Sequence, residues 1–391
     1  MSDAAMRFAG GDAAWAELSE GRPMKWAEID VGALRDNAAA LRRHTGEAVQ
    51  HIAMVKANGY GHGAVLAARA FVDAGASWLG VSSAEEALQL RDAGLGQPVL
   101  AVAWTHPSTH ATLLRRGVDV TVWDISAVDS LRQAAGEGSG RARIHVKVNT
   151  GMNRLGVTVD GLPALLRLIA GSRQLCLAGI FTHFADADGV DDGFTEAQHE
   201  AFLDAIAMAK DVNPEVLVHC ANSAALLRHP HMHHDAVRPG IALYGYAPPG
   251  AAGIAQVRPA MSVLACVTQV KTVHRGDAVG YGRTWTASRD TRVATVAAGY
   301  ADGVQRAQSN RGHALVRGVR CPMIGRVSMD QTTIDVSELD DVATGEPVTL
   351  LGGQNGTALG ADDVAAAAGT IAHEVLCGVS ARVPRVVVNR P

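Results

Sequence analysis

Residues 78–94 read "WLGVSSAEEALQLRDAG". A short apolar run passes through two serines into a stretch rich in Ala, Leu and Glu. The run, 78–82, does not alternate polar with apolar, which suits a strand buried on both faces. Ser83 stands where a helix N-cap is expected, Glu86 follows three residues on, and Gly94 closes the last turn. The same unit recurs. Apolar runs at 51–55, 98–103, 118–123, 143–148, 177–182, 215–218 and 235–237, the last the weakest, are each followed by a polar loop and an Ala/Leu/Arg-rich helical stretch. Eight such units predict an α/β chain built on a (β/α)8 TIM-type barrel; a doubly wound open sheet is the alternative.

After about residue 258 the pattern changes. "SVLACVTQVKTV" (262–273), "TRVATVAAGY" (291–300), "HALVRGVRCPMIG" (313–325), "QTTIDVS" (331–337), "GEPVTLLG" (345–352) and "VPRVVVN" (383–389) are strand-like, with Gly and Asp turns between them. Only 361–377 reads as helical. The expected organisation is an N-terminal extension (1–24), a barrel (25–258) and a mostly β C-terminal domain (259–391). The segment "MKWAEID" (24–30) is also strand-like and is a candidate to join the β domain.

The bulk numbers set the class. The chain has 391 residues, 48% of them hydrophobic, and a formal net charge of -4. That balance gives no electrostatic case for nucleic acid or an anionic membrane. Five cysteines lie far apart with no CxxC pair, which fits a reducing compartment. Residues 1–22 lack the basic start and apolar stretch of a secretory signal, and no apolar run reaches membrane-spanning length. A cytoplasmic enzyme, with no metal, is the expectation.

In a barrel, chemistry gathers where strands end and βα loops begin. The strand exits read Lys56, Ser82, Trp104, Trp123, Lys147, His183, His219 and Arg238. Lys56 ends an apolar run and enters a loop with three glycines, "HIAMVKANGYGHG" (51–63). A lysine of ordinary pKa is neutral roughly once in 2500 molecules at neutral pH. Desolvation at an apolar strand end makes such an amine a usable nucleophile; a solvated surface lysine is the bland alternative. The loop is not a Walker A motif, because the lysine precedes the glycines. "HCANSAALL" (219–227) puts Asn222 and Ser223 at a helix start, and "VRPGIALYG" (237–245) puts Gly240 and Ile241 where bare N–H groups could meet an anion. An ordinary capping serine explains the first equally well.

The ordered set "MVKANGYGHG", "KVNTGMNRLG", "FTHFADAD", "HCANSAA", "VRPGIALYG", "GYGRTWTA", "GYADG" and "IGRVSMDQTTIDV" resembles bacterial alanine racemases, a fold-type III pyridoxal-phosphate family. The resemblance runs from about 25 to 389. It implies that Lys56 holds pyridoxal 5'-phosphate and serves as one catalytic base. Tyr281 matches the opposing catalytic tyrosine, which reaches the site from the partner subunit, so a homodimer with shared sites is implied. His219 matches the histidine that bonds that tyrosine, and His183 the one beside the cofactor ring. Arg238 matches the arginine facing the pyridine nitrogen. Tyr60, Ser223, Gly240 and Ile241 match phosphate ligands, with Asn222 beside them. Arg154 and Met329 match residues meeting the substrate carboxylate, and Lys147 a lysine carbamylated in some members. Asp188, Tyr300, Arg306 and Arg326 resemble entrance residues. The implied reaction interconverts L- and D-alanine by two bases on opposite faces of Cα.

Two positions depart from the family pattern. Asn149 stands where an aspartate is usual. Ala381, in "CGVSARVPR" (377–385), stands where several members carry a tyrosine that touches the phosphate and crowds the substrate. A wider pocket, tolerant of serine or larger side chains, is expected. The alternatives are a serine or broad-specificity racemase of the same family, a pyridoxal-phosphate decarboxylase of basic amino acids, and a non-catalytic cofactor-binding homologue. The decarboxylases bring an acidic partner for the pyridine nitrogen where this chain has Arg238, and the non-catalytic proteins lack the second domain.

Overall fold

The structure, a computed structural model, describes residues 7–8, 23–136 and 141–389. Most of the expected N-terminal extension lies outside the described residues. The chain forms two compact units. Among the described residues, one comprises 33–59, 64–136 and 141–258; the other gathers 7–8, 23–32, 60–63 and 259–389.

The first unit is a closed barrel of eight parallel strands. They are β1 (Gln50–Met54), β2 (Trp78–Val81), β3 (Val99–Ala101), β4 (Val118–Val122), β5 (Ala142–Asn149), β6 (Leu175–Phe181), β7 (Leu217–His219) and β8 (Ala236–Val237). Each pairs with the next, and β8 pairs back to β1. Closure excludes the open-sheet alternative. Closure also explains the continuous apolar runs: one strand face fills the barrel and the other meets helices, so neither tolerates a polar alternation. Every residue of β2, β3 and β4 is buried, Asp119 included.

The helix after β2 spans Ala84–Asp92. Ser83 caps it, its oxygen accepting from Glu86 N at 3.3 Å. Glu86 does not complete a reciprocal box. Its carboxylate accepts from Ser82 N and from Ala57 N, both at 2.7 Å, so it clamps the exits of β1 and β2 together.

The second unit is built on a sheet whose central strand, Met261–Val273, pairs antiparallel with Lys25–Asp30, Pro347–Gln354 and Thr291–Val296. Strand Arg385–Val388 runs parallel to Lys25–Asp30. Helices Ala361–Ala368 and Ala372–Cys377 complete it. Arg385 is buried and donates to the carbonyls of Gly61, Val379, Ser380 and Val383 at 2.6–2.9 Å. Four carbonyls satisfy a charge that could not otherwise be buried, and they fix the 379–383 loop that carries Ala381.

Candidate active site

The backbone after Lys56 is unusual. Ala57, Asn58, Gly59 and Tyr60 all lie in the left-handed region, at φ 52°, 53°, 61° and 51°. L-residues resist that region by roughly 1–2 kcal/mol each; the glycine escapes the cost and Asn58 tolerates it better than Ala57 or Tyr60. The turn persists because its surroundings hold it. Gly59 N donates to Val55 O at 2.8 Å, Ala64 N to Asn58 Oδ1 at 2.9 Å, and Ala57 N to Glu86. At Gly61, φ +81°, a Cβ would stand 2.2 Å from Leu376 O, so glycine is required there. His62, whose role the sequence left open, is fully buried with Nδ1 2.9 Å from Tyr60 O. Tyr60 is buried in the second unit, and burial, with Cys377 nearby, pushes its phenol up; it stays a proton donor.

In the barrel, Lys56, Lys147, Arg154 and Arg238 share one electrostatic neighbourhood. Lys147 is buried inside β5, and burial, then Arg238, Arg154 and Lys56, lowers its pKa to about 8. His183, just past β6, is lowered well below its ordinary value by burial and the same cations. Arg238, immediately after β8, is buried, and burial brings it down to about 10, so it keeps its proton at neutral pH. Its guanidinium donates to the carbonyls of His219, Thr182 and Cys220 at 2.8–3.0 Å.

The remaining Arg238 bonds fix three tautomers. Nη1 lies 2.9 Å from His219 Nδ1, and Nη2 lies 3.2 Å from His183 Nδ1. A guanidinium only donates, so both Nδ1 atoms accept and both histidines carry their proton on Nε2. His219 Nε2 then donates to His145 Nδ1 at 2.9 Å, which leaves the proton of His145 on Nε2, 3.4 Å from Asp119 Oδ2. Sequence reading missed His145 and Asp119. His145 faces Gly179 across the β5–β6 pairing, and a Cβ on Gly179 would fall 2.2 Å from His145 Nδ1. That glycine inside an apolar strand was the only signal.

This geometry corrects one expectation. His219 is fully buried, stacked on Phe181 at 4.8 Å between ring centroids, and both its nitrogens are engaged by Arg238 and His145. It has no nitrogen left for a tyrosine. Burial and Arg238 lower its pKa well below the ordinary value, so it is a neutral link behind Arg238.

Ser223 and Gly240 meet in the structure, Ser223 Oγ accepting from Gly240 N at 2.9 Å and Ala242 N at 3.3 Å. Ile241 opens the short helical turn after them. Asn222, not Ser223, is the cap of helix Ser223–Arg228, accepting from Ala225 N at 3.0 Å. Asn149 organises the loop leading to Arg154: Oδ1 accepts from Gly151 N and Asn153 N, and Nδ2 donates to Asn153 Oδ1 at 2.9 Å. An aspartate could accept the same two bonds but not make the third. Trp104 and Asp188 are exposed and join neither group.

The second unit collects its own candidates. Tyr281 opens a tight turn and is 73% exposed; the backbone of Arg326 lies beside the preceding Gly280. Tyr300 N donates to Ser328 O and Ala301 N to Met329 O, which sets Tyr300 beside Met329. Ser309 Oγ donates to Arg306 O and accepts from Val327 N. Tyr281, Tyr300 and Met329 are all exposed.

A (β/α)8 barrel with a lysine at the first strand exit, cationic residues at its strand ends and a separate β unit defines a class of two-unit barrel proteins. Residues 29–248 match the family model for the N-terminal domain of alanine racemase, and 260–387 the model for its C-terminal domain. The chain belongs to the alanine racemase family. It is 41% identical over 370 residues to the alanine racemase of Symbiobacterium thermophilum, covering 94% of this chain and 97% of that protein. The alanine racemase of D-cycloserine-producing Streptomyces lavendulae superposes with a TM-score of 0.88 at 36% identity, covering 95% of this chain and 98% of that one. That of Bartonella henselae, solved with covalently bound pyridoxal phosphate, gives 0.85 at 28% identity, covering 94% and 100%.

Proposed function

We propose that this chain is an isomerase that interconverts L- and D-alanine with pyridoxal phosphate held at the barrel rim. One observation carries the reading. The groups that act on buried Lys147 are all cations, namely Arg238, Arg154 and Lys56. A rim so charged fits a ligand that brings a phosphate and a carboxylate. Ser223, Asn222, Gly240, Ile241 and Tyr60 are the candidate phosphate ligands, and the Gly240 and Ala242 N–H groups already converge on one oxygen. Lys56 would hold the cofactor covalently.

When bound, pyridoxal phosphate delocalises the electron pair left at Cα after proton loss. The remaining work falls to this chain. Arg154 orients the substrate carboxylate, and Met329 of a second copy, exposed like Tyr281, would meet it. Lys56 moves the proton on the face that the D-isomer presents, and Tyr281 of a second copy serves the L-isomer. A phenol of pKa about 10 needs roughly 4 kcal/mol of favourable environment to act as a base near pH 7. His183 suits that task better than His219, because its Nδ1 is turned to Arg238 and its proton sits on Nε2. Arg238, which keeps its proton and can only donate, would leave the pyridine nitrogen unprotonated, and that would disfavour transamination. Lys147, with its amine brought near neutrality, suits carbamylation, and the resulting anion would steady Arg154. The exposure of Tyr281 and Met329 supports a homodimer with shared sites. A cytoplasmic protein supplying D-alanine is the matching physiological role. Ala381, a small exposed residue, supports tolerance of serine.

Chiral chromatography of purified protein incubated with a panel of L-amino acids tests the reading. D-alanine should form first, with D-serine slower. Equal exclusion of L-serine and L-lysine would sink the tolerance.

A further inference from the structure

Away from the rim, the barrel carries a second concentration of ligand-type side chains that the racemase reading does not use. The segment "HPHMHHD" (229–235) holds four histidines in seven residues. His199, on helix Gly193–Val212, and Cys220, immediately after β7, face it. Donor atoms of His199, Cys220 and His234 all lie within 4.8 Å of one another. His199 Nε2 and His234 Nε2 are 2.8 Å apart. His199 and Cys220 are buried. His234 reaches this position with its backbone at φ 49°, a region that non-glycine residues seldom occupy.

We propose that His199, Cys220 and His234 form a transition-metal site of the zinc class. Two imidazoles and one thiolate are the donors that borderline-soft, four-coordinate ions select; magnesium and calcium prefer oxygen. Zinc sits about 2.0–2.3 Å from nitrogen and sulfur ligands, so its donors stand a little over 3 Å apart. Filling the site opens the 2.8 Å pair slightly. A second group, Glu196, His199 and His231, shares His199, with donor atoms also within 4.8 Å. Glu196 and His231 are more exposed, so they offer a path of entry and a fourth donor. His231 Nε2 now lies 3.2 Å from Glu196 Oε2, and His229 Nδ1 3.7 Å from Glu196 Oε1.

The proton balance is simple. Burial pushes the Cys220 thiol up to about 12 and lowers His234 to about 4 and His199 below its ordinary value. The empty site therefore holds a thiol and two neutral imidazoles. The imidazole that now donates across the 2.8 Å contact keeps its proton by moving it to the other ring nitrogen. The thiol, which donates to Met232 O at 3.1 Å, loses its proton, so one proton leaves per divalent ion bound. The site also touches the rim, because Cys220 O accepts from Arg238 Nη2 at 3.0 Å. An ion on Cys220 would tie down the segment that holds Arg238.

The test uses the full-length holoprotein, freed of metal by dialysis against chelator, with Co2+ as the probe. Its visible bands fall on the long-wavelength side of cofactor absorption. The expected result is a four-coordinate spectrum saturating at one Co2+ per chain, release of one proton per ion, displacement by Zn2+, and a higher Tm with Zn2+. Cys220→Ser and His234→Asn should each weaken binding at least roughly a hundredfold; asparagine tolerates the left-handed backbone, so the second variant stands if the first misfolds. No saturable binding, or a six-coordinate spectrum lost with His231→Ala but unchanged in Cys220→Ser, would overturn the proposal.

Discussion

Replacing Gly179 by alanine tests the buried chain from Asp119 to Arg238 without deleting any member of it. The added Cβ would stand 2.2 Å from His145 Nδ1, 2.5 Å from Cε1 and 2.8 Å from Cγ. The imidazole must move, yet Trp78 packs edge-on at 5.6 Å between centroids and His219 lies at 5.2 Å. Overpacking of this kind costs about 1–3 kcal/mol. Losing the His145–His219 bond adds about 1 kcal/mol. Relief of a strand glycine returns about 0.5–1 kcal/mol. The net expectation is a loss of about 1–3 kcal/mol, read by urea denaturation, with reduced turnover because Arg238 loses a fixed partner. A double-mutant cycle separates the cause. With His145→Ala in place the clash is gone, so Gly179→Ala should cost nothing or stabilise slightly. The same cost in both backgrounds, or no cost in the wild type, would refute the account of this relay.

Four further outcomes follow from the same geometry. Lys56→Ala should abolish racemisation and the visible absorbance of bound cofactor, checked in one spectrum. Lys147 has a pKa lowered from 10.5 to about 8, so the unfolded chain binds more protons between about pH 8 and 10.5 and stability rises with pH across that window. Lys147→Met should therefore gain roughly 1–3 kcal/mol at pH 7 in carbon-dioxide-free buffer and lose the advantage above about pH 10, measured by urea midpoints at both pH values. Ala381→Tyr should lower the ratio of serine to alanine turnover by about tenfold or more, seen in paired kinetics. Arg238→Gln leaves the carbonyls of Thr182, His219 and Cys220 short of donors; turnover should fall at least roughly tenfold and pyridoxamine phosphate should accumulate with L-alanine, measured by chromatography of the released cofactor.

The barrel was legible because its strands are buried on both faces and so write themselves as unbroken apolar runs. Lys147, His183, His219 and Arg238 were legible as polar residues at or near the ends of such runs. The left-handed turn after Lys56 was not. Glycines at 59, 61 and 63 announced a loop, but Ala57 and Tyr60 give no local sign of positive φ, and Glu86 from the next unit helps to hold Ala57 there. Arg385 and Asp119 were hidden for a similar reason: their partners lie in distant segments, and burial of a charge is decided by tertiary contacts. The misassigned role of His219 came from a family pattern that names residues but does not count ring nitrogens. The histidines at 229–234 passed unnoticed because their partners, His199 and Cys220, sit on other elements.

The most direct test of the central claim is to incubate L- and D-alanine separately with the purified protein in deuterium oxide, reading enantiomer ratio and Cα deuterium together. The two-base account predicts that both reactions converge on an equal mixture with solvent deuterium in the newly formed enantiomer, and that neither proceeds with Lys56→Ala. Unchanged L-alanine, or conversion to pyruvate or carbon dioxide in place of the other enantiomer, would contradict it.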